Sequence, residues 1–257
     1  MNSRLAPAQT GRTELAMSAG ASQLAARGFA ILHQALDDGE LKAWIHAVQA
    51  FEARGEEAPS SRVANHRNLL ADAAIRRLAT AAPLSEIVTR ALGKGGLPVR
   101  GILFNKTPSA NWNVPWHQDC MIPVLKRIET PRFGPWAVKA GVPHVEAPAE
   151  VLERMVTLRL HLDDCFAENG PLRVVPGTHL RGKLHTREID ALVRNGEEDI
   201  CTTERGGIVV MHPLTLHASS KATRPGQRRV VHLEYAVETL PNGLAWHSFE
   251  HDQPQTL

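Results

Sequence analysis

The stretch Trp116-His117-Gln118-Asp119 sets an imidazole and a carboxylate two positions apart. In an extended chain, side chains at i and i+2 leave the same face, so His117 and Asp119 can meet at one point that suits a metal ion. Two ligands hold a catalytic metal poorly. A third is available downstream, where the apolar run from Gly206 passes through a turn and reaches His217. A His-x-Asp pair with a distant histidine is the two-histidine, one-carboxylate facial triad, which binds Fe(II) and leaves positions open for a co-substrate and O2. Alone, His-x-Asp is common by chance, and a single histidine is more often a buried, hydrogen-bonded side chain than a ligand. His212, five residues before His217, competes for the third position.

An arginine strengthens the reading. Arg228 follows His217 by eleven residues and opens Arg228-Arg229-Val230-Val231-His232-Leu233-Glu234-Tyr235, which reads as the next strand. A returning strand would bring a guanidinium beside the metal, where its planar fork can grip a carboxylate through two hydrogen bonds. Arg229 could replace Arg228 if the register moved by one, although that step turns a side chain to the other face.

These residues, with Gly170-Pro171-Leu172-Arg173-Val174-Val175-Pro176-Gly177-Thr178-His179 between them, resemble the phytanoyl-CoA dioxygenase family of Fe(II)- and 2-oxoglutarate-dependent oxygenases over roughly residues 97 to 240. The resemblance implies that His117, Asp119 and His217 hold Fe(II) and that Arg228 pairs with the far carboxylate of 2-oxoglutarate. It further implies hydroxylation of a small-molecule substrate with release of succinate and CO2. Additional co-substrate contacts suggested by the resemblance are Gln118, Ser219 and Trp136, with Lys106 a weaker candidate. The competing class is a cupin-like metal isomerase or ligand-binding protein, which has no need of the Arg228 anchor. A halogenase would lack the Asp119 carboxylate.

The elements that must position these residues follow from pattern. Gly28 to Leu32 suits a first strand, and residues 1 to about 20 read as a loose arm. Asp37 and Glu40 form a capping box ahead of a helix with Leu41, Trp44, Ile45 and Val48 on one stripe. A second helical region spans about Leu70 to Leu92, interrupted at Pro83. Trp44 and His46 there read as scaffold. From Leu97 the chain changes to strands. Residues 120 to 154 carry five prolines and read as a lid-like excursion starting at the proposed metal. Met155 to Asp163 alternates, with Arg159 and His161 on the polar face as possible substrate contacts. Leu172 to Val175 reads as a strand, and a short helix is expected around Glu188 to Arg194. Short strands, Gly/Pro turns and helices placed before them predict a mainly β, single-domain protein over 1–257. The expected architecture is a double-stranded β-helix, a cupin-like jelly-roll barrel with N-terminal helices on one side.

Composition sets the outer bounds. At 257 residues and 43% hydrophobic, the chain can bury one large core. Twenty-nine basic against 27 acidic residues leave a net charge of +2, too little to argue for nucleic acid or an anionic membrane. Cys120, Cys165 and Cys201 show no paired spacing and read as free thiols, with Cys120 exposed to oxidation by its place after Asp119. No run approaches the roughly 18 apolar residues of a membrane span, and the first 25 lack a signal-peptide core, so a cytoplasmic location is expected. Nothing in the pattern decides oligomeric state.

Overall fold

The computed structural model describes residues 20–55, 65–224, 226–237 and 239–247. Apart from Gly20, the arm expected over residues 1–20 lies outside them, as does most of the polar tail. Residues 20–27 form helix α1 and lead into strand β1, Phe29–Leu32. Helix α2, Asp38–Arg54, begins where the capping box places it. Glu40 N–H donates to Asp37 Oδ1 and Asp37 N–H to Glu40 Oε2, each at 2.8 Å. It ends at Gly55, whose φ of 64° admits a left-handed cap. The second helical region is divided, as its proline requires, into α3 (Ala73–Thr80) and α4 (Leu84–Leu92).

Two sheets carry the remainder of the fold. One has six strands in the order β1, β11 (Ile208–Met211), β8 (Met155–His161), β13 (Arg228–Ala236), β3 (Leu97–Lys106) and β2 (Asn65–His66). The other has four: β10 (Asp199–Cys201), β9 (Leu172–Val175), β12 (Leu216–Ser219) and β4 (Val114–His117). Strand pairs β3–β4, β8–β9, β10–β11 and β12–β13 therefore each cross from one sheet to the other. The two-residue period of a strand then sorts β13. Val231, Leu233 and Tyr235 pack with Leu41, Trp44, Val48 and Phe51 of α2 in one core cluster, while Arg228 and His232 line a cavity on the opposite face. Each buried Leu or Val of that layer contributes about 1.5–3 kcal/mol.

The segment expected to be an excursion is folded. Within it, β5 (Met121–Pro123), β7 (Val142–Glu146) and β6 (Trp136–Lys139) form a three-stranded antiparallel sheet, followed by the short helix α5, Ala149–Leu152. Ile122, Val124, Val145, Ala147 and Leu152 are buried in a second core cluster. Strands of three to five residues carry too few repeats for alternation to stand out, and Pro123 and Pro143 inside them read locally as loop. The later expectations hold more closely, with β9 over Leu172–Val175 and α6 over Thr186–Asn195. Among the described residues no helix is long and apolar enough to cross a membrane.

Candidate active site

His117 and His217 are directly opposed in the β4–β12 pair, and β12 is held on its other edge by β9. Asp119 lies just beyond β4, fixed by its N–H donating to the Pro213 carbonyl at 3.0 Å. The result is a close triangle. His117 Nε2 is 3.8 Å from Asp119 Oδ1, His217 Nε2 is 3.5 Å from Asp119 Oδ2, and one ligand atom from each residue lies within 4.8 Å of the other two.

The donor set fits a divalent cation. The Nδ1–H of His117 donates to the Pro115 carbonyl and that of His217 to the Thr215 carbonyl, both at 2.8 Å. Each bond fixes the tautomer that leaves Nε2 free and turned toward Asp119, a common arrangement for metal-ligating imidazole. Asp119 Oδ2 is buried and accepts no hydrogen bond. A buried carboxylate oxygen without a donor is costly unless a cation faces it. Burial alone would raise the Asp119 pKa, but the neighbouring His217, His232 and His117 rings and the Arg100 guanidinium outweigh it and hold the carboxyl below its usual range. Burial drives the His217 pKa down to about 3, with His117 adding to the effect, so its imidazole is neutral and able to ligate. His212, the competing histidine, instead packs against His179, with ring centroids 5.3 Å apart and planes tilted by 46°, and is not part of the triangle.

These residues open into a cavity of about 400 Å3 between the two sheets. Its wall repeats at period two, as with Arg100, Ile102, Phe104 and Lys106 along β3. Arg228 reaches the cavity, is buried, and leaves its Nε without a partner. Arg229 turns to the opposite face. There its guanidinium grips Asp163 through Nε to Oδ2 at 2.9 Å and Nη2 to Oδ1 at 2.7 Å. The alternative left open by the sequence is therefore separated by side-chain direction.

The remaining candidates divide. Ser219 lines the cavity on the same face as His217. Lys106, the Cα partner of Arg228, is buried and donates to the Ser220 carbonyl; burial first, and then Arg228, lower its pKa to about 7. Gln118 lines the cavity, but its amide is committed to the backbone. It donates to Gly182 O at 2.8 Å and Leu214 O at 2.7 Å and accepts from Leu184 N–H at 2.8 Å. Trp136 does not belong to the cavity wall. It sits on β6 in the second core cluster with Arg127 stacked over its ring at 5.3 Å. Cys120 stands where the sequence places it, beside the triangle. Its thiol lines the cavity, and burial pushes its pKa to about 12, so it is there as the neutral thiol.

The structure joins Arg159, which alternation on β8 already marks and which lines the cavity, to residues that no motif marks. Arg159 donates through Nη1 to His232 Nδ1 at 2.9 Å, His232 Nε2–H donates to Glu234 Oε1 at 3.1 Å, and Glu234 pairs with Arg100. This buried chain crosses from β8 over β13 to β3. Arg67 and Lys139 join the cavity from outside the strands of the six- and four-stranded sheets. Alternation on β3, carried back from Lys106, would have found Arg100; Arg67 and Lys139 have no such signal.

Similar folds occur in solved structures. The epimerase SnoN in complex with Fe3+, alpha ketoglutarate and nogalamycin RO is 17% identical, with a TM-score of 0.69 over 95% of this chain and 92% of that one. The non-heme alpha ketoglutarate dependent carbocyclase SnoK from nogalamycin biosynthesis is also 17% identical, with a TM-score of 0.65 over 85% and 83%. EctD from S. alaskensis with 2-oxoglutarate and 5-hydroxyectoine gives 17%, 0.64, 92% and 78%. No curated protein sequence matches. The family model for phytanoyl-CoA dioxygenase matches residues 24–230, which contain every residue of the triangle and Arg228, and the chain belongs to that family.

Proposed function

We propose that the protein is a non-haem Fe(II)- and 2-oxoglutarate-dependent oxygenase that hydroxylates a small molecule, built on a jelly-roll frame whose two sheets enclose the site. Iron and 2-oxoglutarate are the cofactors of this family. The observation that carries the reading is the convergence of His117, Asp119 and His217 beside a buried, unpartnered Arg228 Nε in one cavity. The crossing of successive strands between the six- and four-stranded sheets supports the jelly-roll path.

In this assignment His117, Asp119 and His217 hold the iron through Nε2, a carboxylate oxygen and Nε2. Bound iron supplies oxygen activation coupled to conversion of 2-oxoglutarate to succinate and CO2. The chain's own part is positioning and exclusion. Arg228 receives the far carboxylate, an ionised contact worth on the order of 1.5–3 kcal/mol. Lys106 and Ser219 line the same cavity and complete the polar surroundings of that carboxylate. The Arg159–His232–Glu234–Arg100 chain keeps the inner wall of the six-stranded sheet rigid. A metal isomerase or ligand-binding protein would leave the Arg228 guanidinium without a purpose.

The test is an anaerobic titration of metal-free protein with Fe(II) and then 2-oxoglutarate, following the visible charge-transfer band of the chelated complex. A band in the wild type that is missing in His117→Ala supports the assignment. Tight metal binding with no band on adding 2-oxoglutarate would replace it with the isomerase reading. Product analysis after substrate screening separates hydroxylation from the other oxidative outcomes.

A further inference from the structure

The ladder between the two ligand-bearing strands stops at the ligands themselves. In the β4–β12 pair His217 faces His117 and Ser219 faces Val114, with an irregularity between them, and β4 ends at His117. Asp119 is therefore placed from outside the sheet. Its N–H donates to the Pro213 carbonyl at 3.0 Å, and beside it Gln118 Nε2 donates to the Leu214 carbonyl at 2.7 Å. Pro213 and Leu214 belong to the turn that leads into β12. The next carbonyl along that turn, from Thr215, accepts from His217 Nδ1 at 2.8 Å. One short turn thus orients His217 and locates Asp119, and the Gln118 amide closes it against the His117–Asp119 segment.

The rest of the amide is equally committed. Nε2 also donates to the Gly182 carbonyl at 2.8 Å, and Oε1 accepts from Leu184 N–H at 2.8 Å. Lys183, between these two, donates through Nζ to the Ala147 carbonyl at 3.1 Å and pairs with Glu146 at 2.5 Å. Residues 182 to 184 are thus held by the end of β7 on one side and by Gln118 on the other. Among side chains of this length, only a carboxamide offers two donors and an acceptor in one plane. Ligand distances at a metal site hold to within about 0.2 Å. A turn free to slide further than that would loosen the set, and hydrogen bonds behind the ligands are what prevent it.

We propose that Gln118 is a positioning residue for the metal: its carboxamide locks the Pro213–Leu214 turn to the His117–Asp119 segment and so sets the 3.5 Å separation of Asp119 Oδ2 from His217 Nε2. This role differs from the co-substrate contact that the family resemblance implies for Gln118. The inference rests on the metal-binding part of the oxygenase reading.

The experiment titrates metal-free wild-type, Gln118→Leu, Gln118→Glu and Lys183→Met protein with Co(II) and reads the visible ligand-field bands. Band energies report the geometry of the ligands, whereas band amplitude reports the folded, loaded fraction. Gln118→Leu removes all three bonds. Gln118→Glu keeps the size and the acceptor for Leu184 but turns a carboxylate oxygen on two carbonyls, and it serves where the leucine variant does not fold. Both should shift the bands at saturation and weaken Co(II) binding by roughly ten- to a hundredfold. Lys183→Met loosens residues 182 to 184 from outside the site and is the control for lost stability: its melting temperature should fall while its bands keep the wild-type energies. Bands of wild-type energy in both Gln118 variants would overturn the proposal, as would the same shift in Lys183→Met. Wild-type bands that 2-oxoglutarate leaves unmoved would sink the oxygenase assignment alone, and wild-type protein without bands would sink both.

Discussion

His117 and His217 are Cα partners across β4 and β12, with ring centroids 4.2 Å apart. A direct cross-strand pair brings two side chains together regardless of the hundred residues between them in sequence, and Asp119 needs only a two-residue step from His117 to join them. The geometry makes the carboxylate a shared element. Asp119→Asn keeps the shape but removes the charge that faces both Nε2 atoms. We expect it to weaken Fe(II) binding by at least tenfold, measured by anaerobic competition with a chelator, while the melting temperature of the metal-free protein changes by only a few degrees. Unchanged iron affinity would remove Asp119 from the ligand set.

Arg228 and Arg229 have opposite expected phenotypes. Arg228→Met should raise the 2-oxoglutarate concentration needed for half-maximal charge-transfer absorbance by tenfold or more, the loss of about 1.5–3 kcal/mol. Arg229→Met should leave that midpoint within twofold and instead lower stability by about 2 kcal/mol, because the half-buried Asp163 loses its two-point partner. For a chain of this size that is a fall of roughly 4–8 °C in Tm. Exchange of the two phenotypes would mean that the other arginine is the anchor.

The contrast between these neighbours shows what the chain reveals before folding. Alternation along Arg228 to Tyr235 already implies that one arginine faces inward, and the eleven-residue spacing from His217 favours Arg228; direction is a local property of a strand. Asp37 and Glu40 are legible for the same reason, since a capping box closes within four residues. Arg67 and Lys139 are not. They reach the cavity because the β6–β7 hairpin folds back over it and Asn68 holds its tip, a contact between residues 72 positions apart. Gln118 and Trp136 were named by resemblance, and the backbone bonds of one and the packing of the other could be learned only from the fold.

Gly170 tests how tightly the anchor end of the cavity is built. Its φ is 67°, and a Cβ there would lie 2.5 Å from the Ser220 carbonyl oxygen and 2.9 Å from Lys106 Nζ. Both atoms belong to the contact that holds the buried lysine beside Arg228. Gly170→Ala should therefore destabilise the protein by about 1–3 kcal/mol, from backbone strain and displacement of the lysine, and weaken 2-oxoglutarate binding several-fold. Chemical denaturation and the absorbance midpoint read the two effects separately. A variant as stable as the wild type would show that Lys106 can move without cost.

His161 makes the acid limb of stability testable away from the metal ligands. Its ring is buried, Nδ1 has no partner, and burial, with Arg159 and Arg228 adding repulsion, lowers its pKa to about 3. The unfolded chain binds a proton near pH 6.5, whereas the folded chain does not until about pH 3. Stability from this residue is therefore intact above about pH 6.5 and falls by up to about 1.4 kcal/mol per pH unit below it, levelling only near pH 3. His161→Leu fills similar space without a titrating group. Its melting temperature should fall less steeply than that of the wild type between pH 7 and 5, and at pH 5 the variant should be the more stable of the two. Parallel curves for the two proteins would show that His161 is protonated in the fold, which would place a counter-charge beside it.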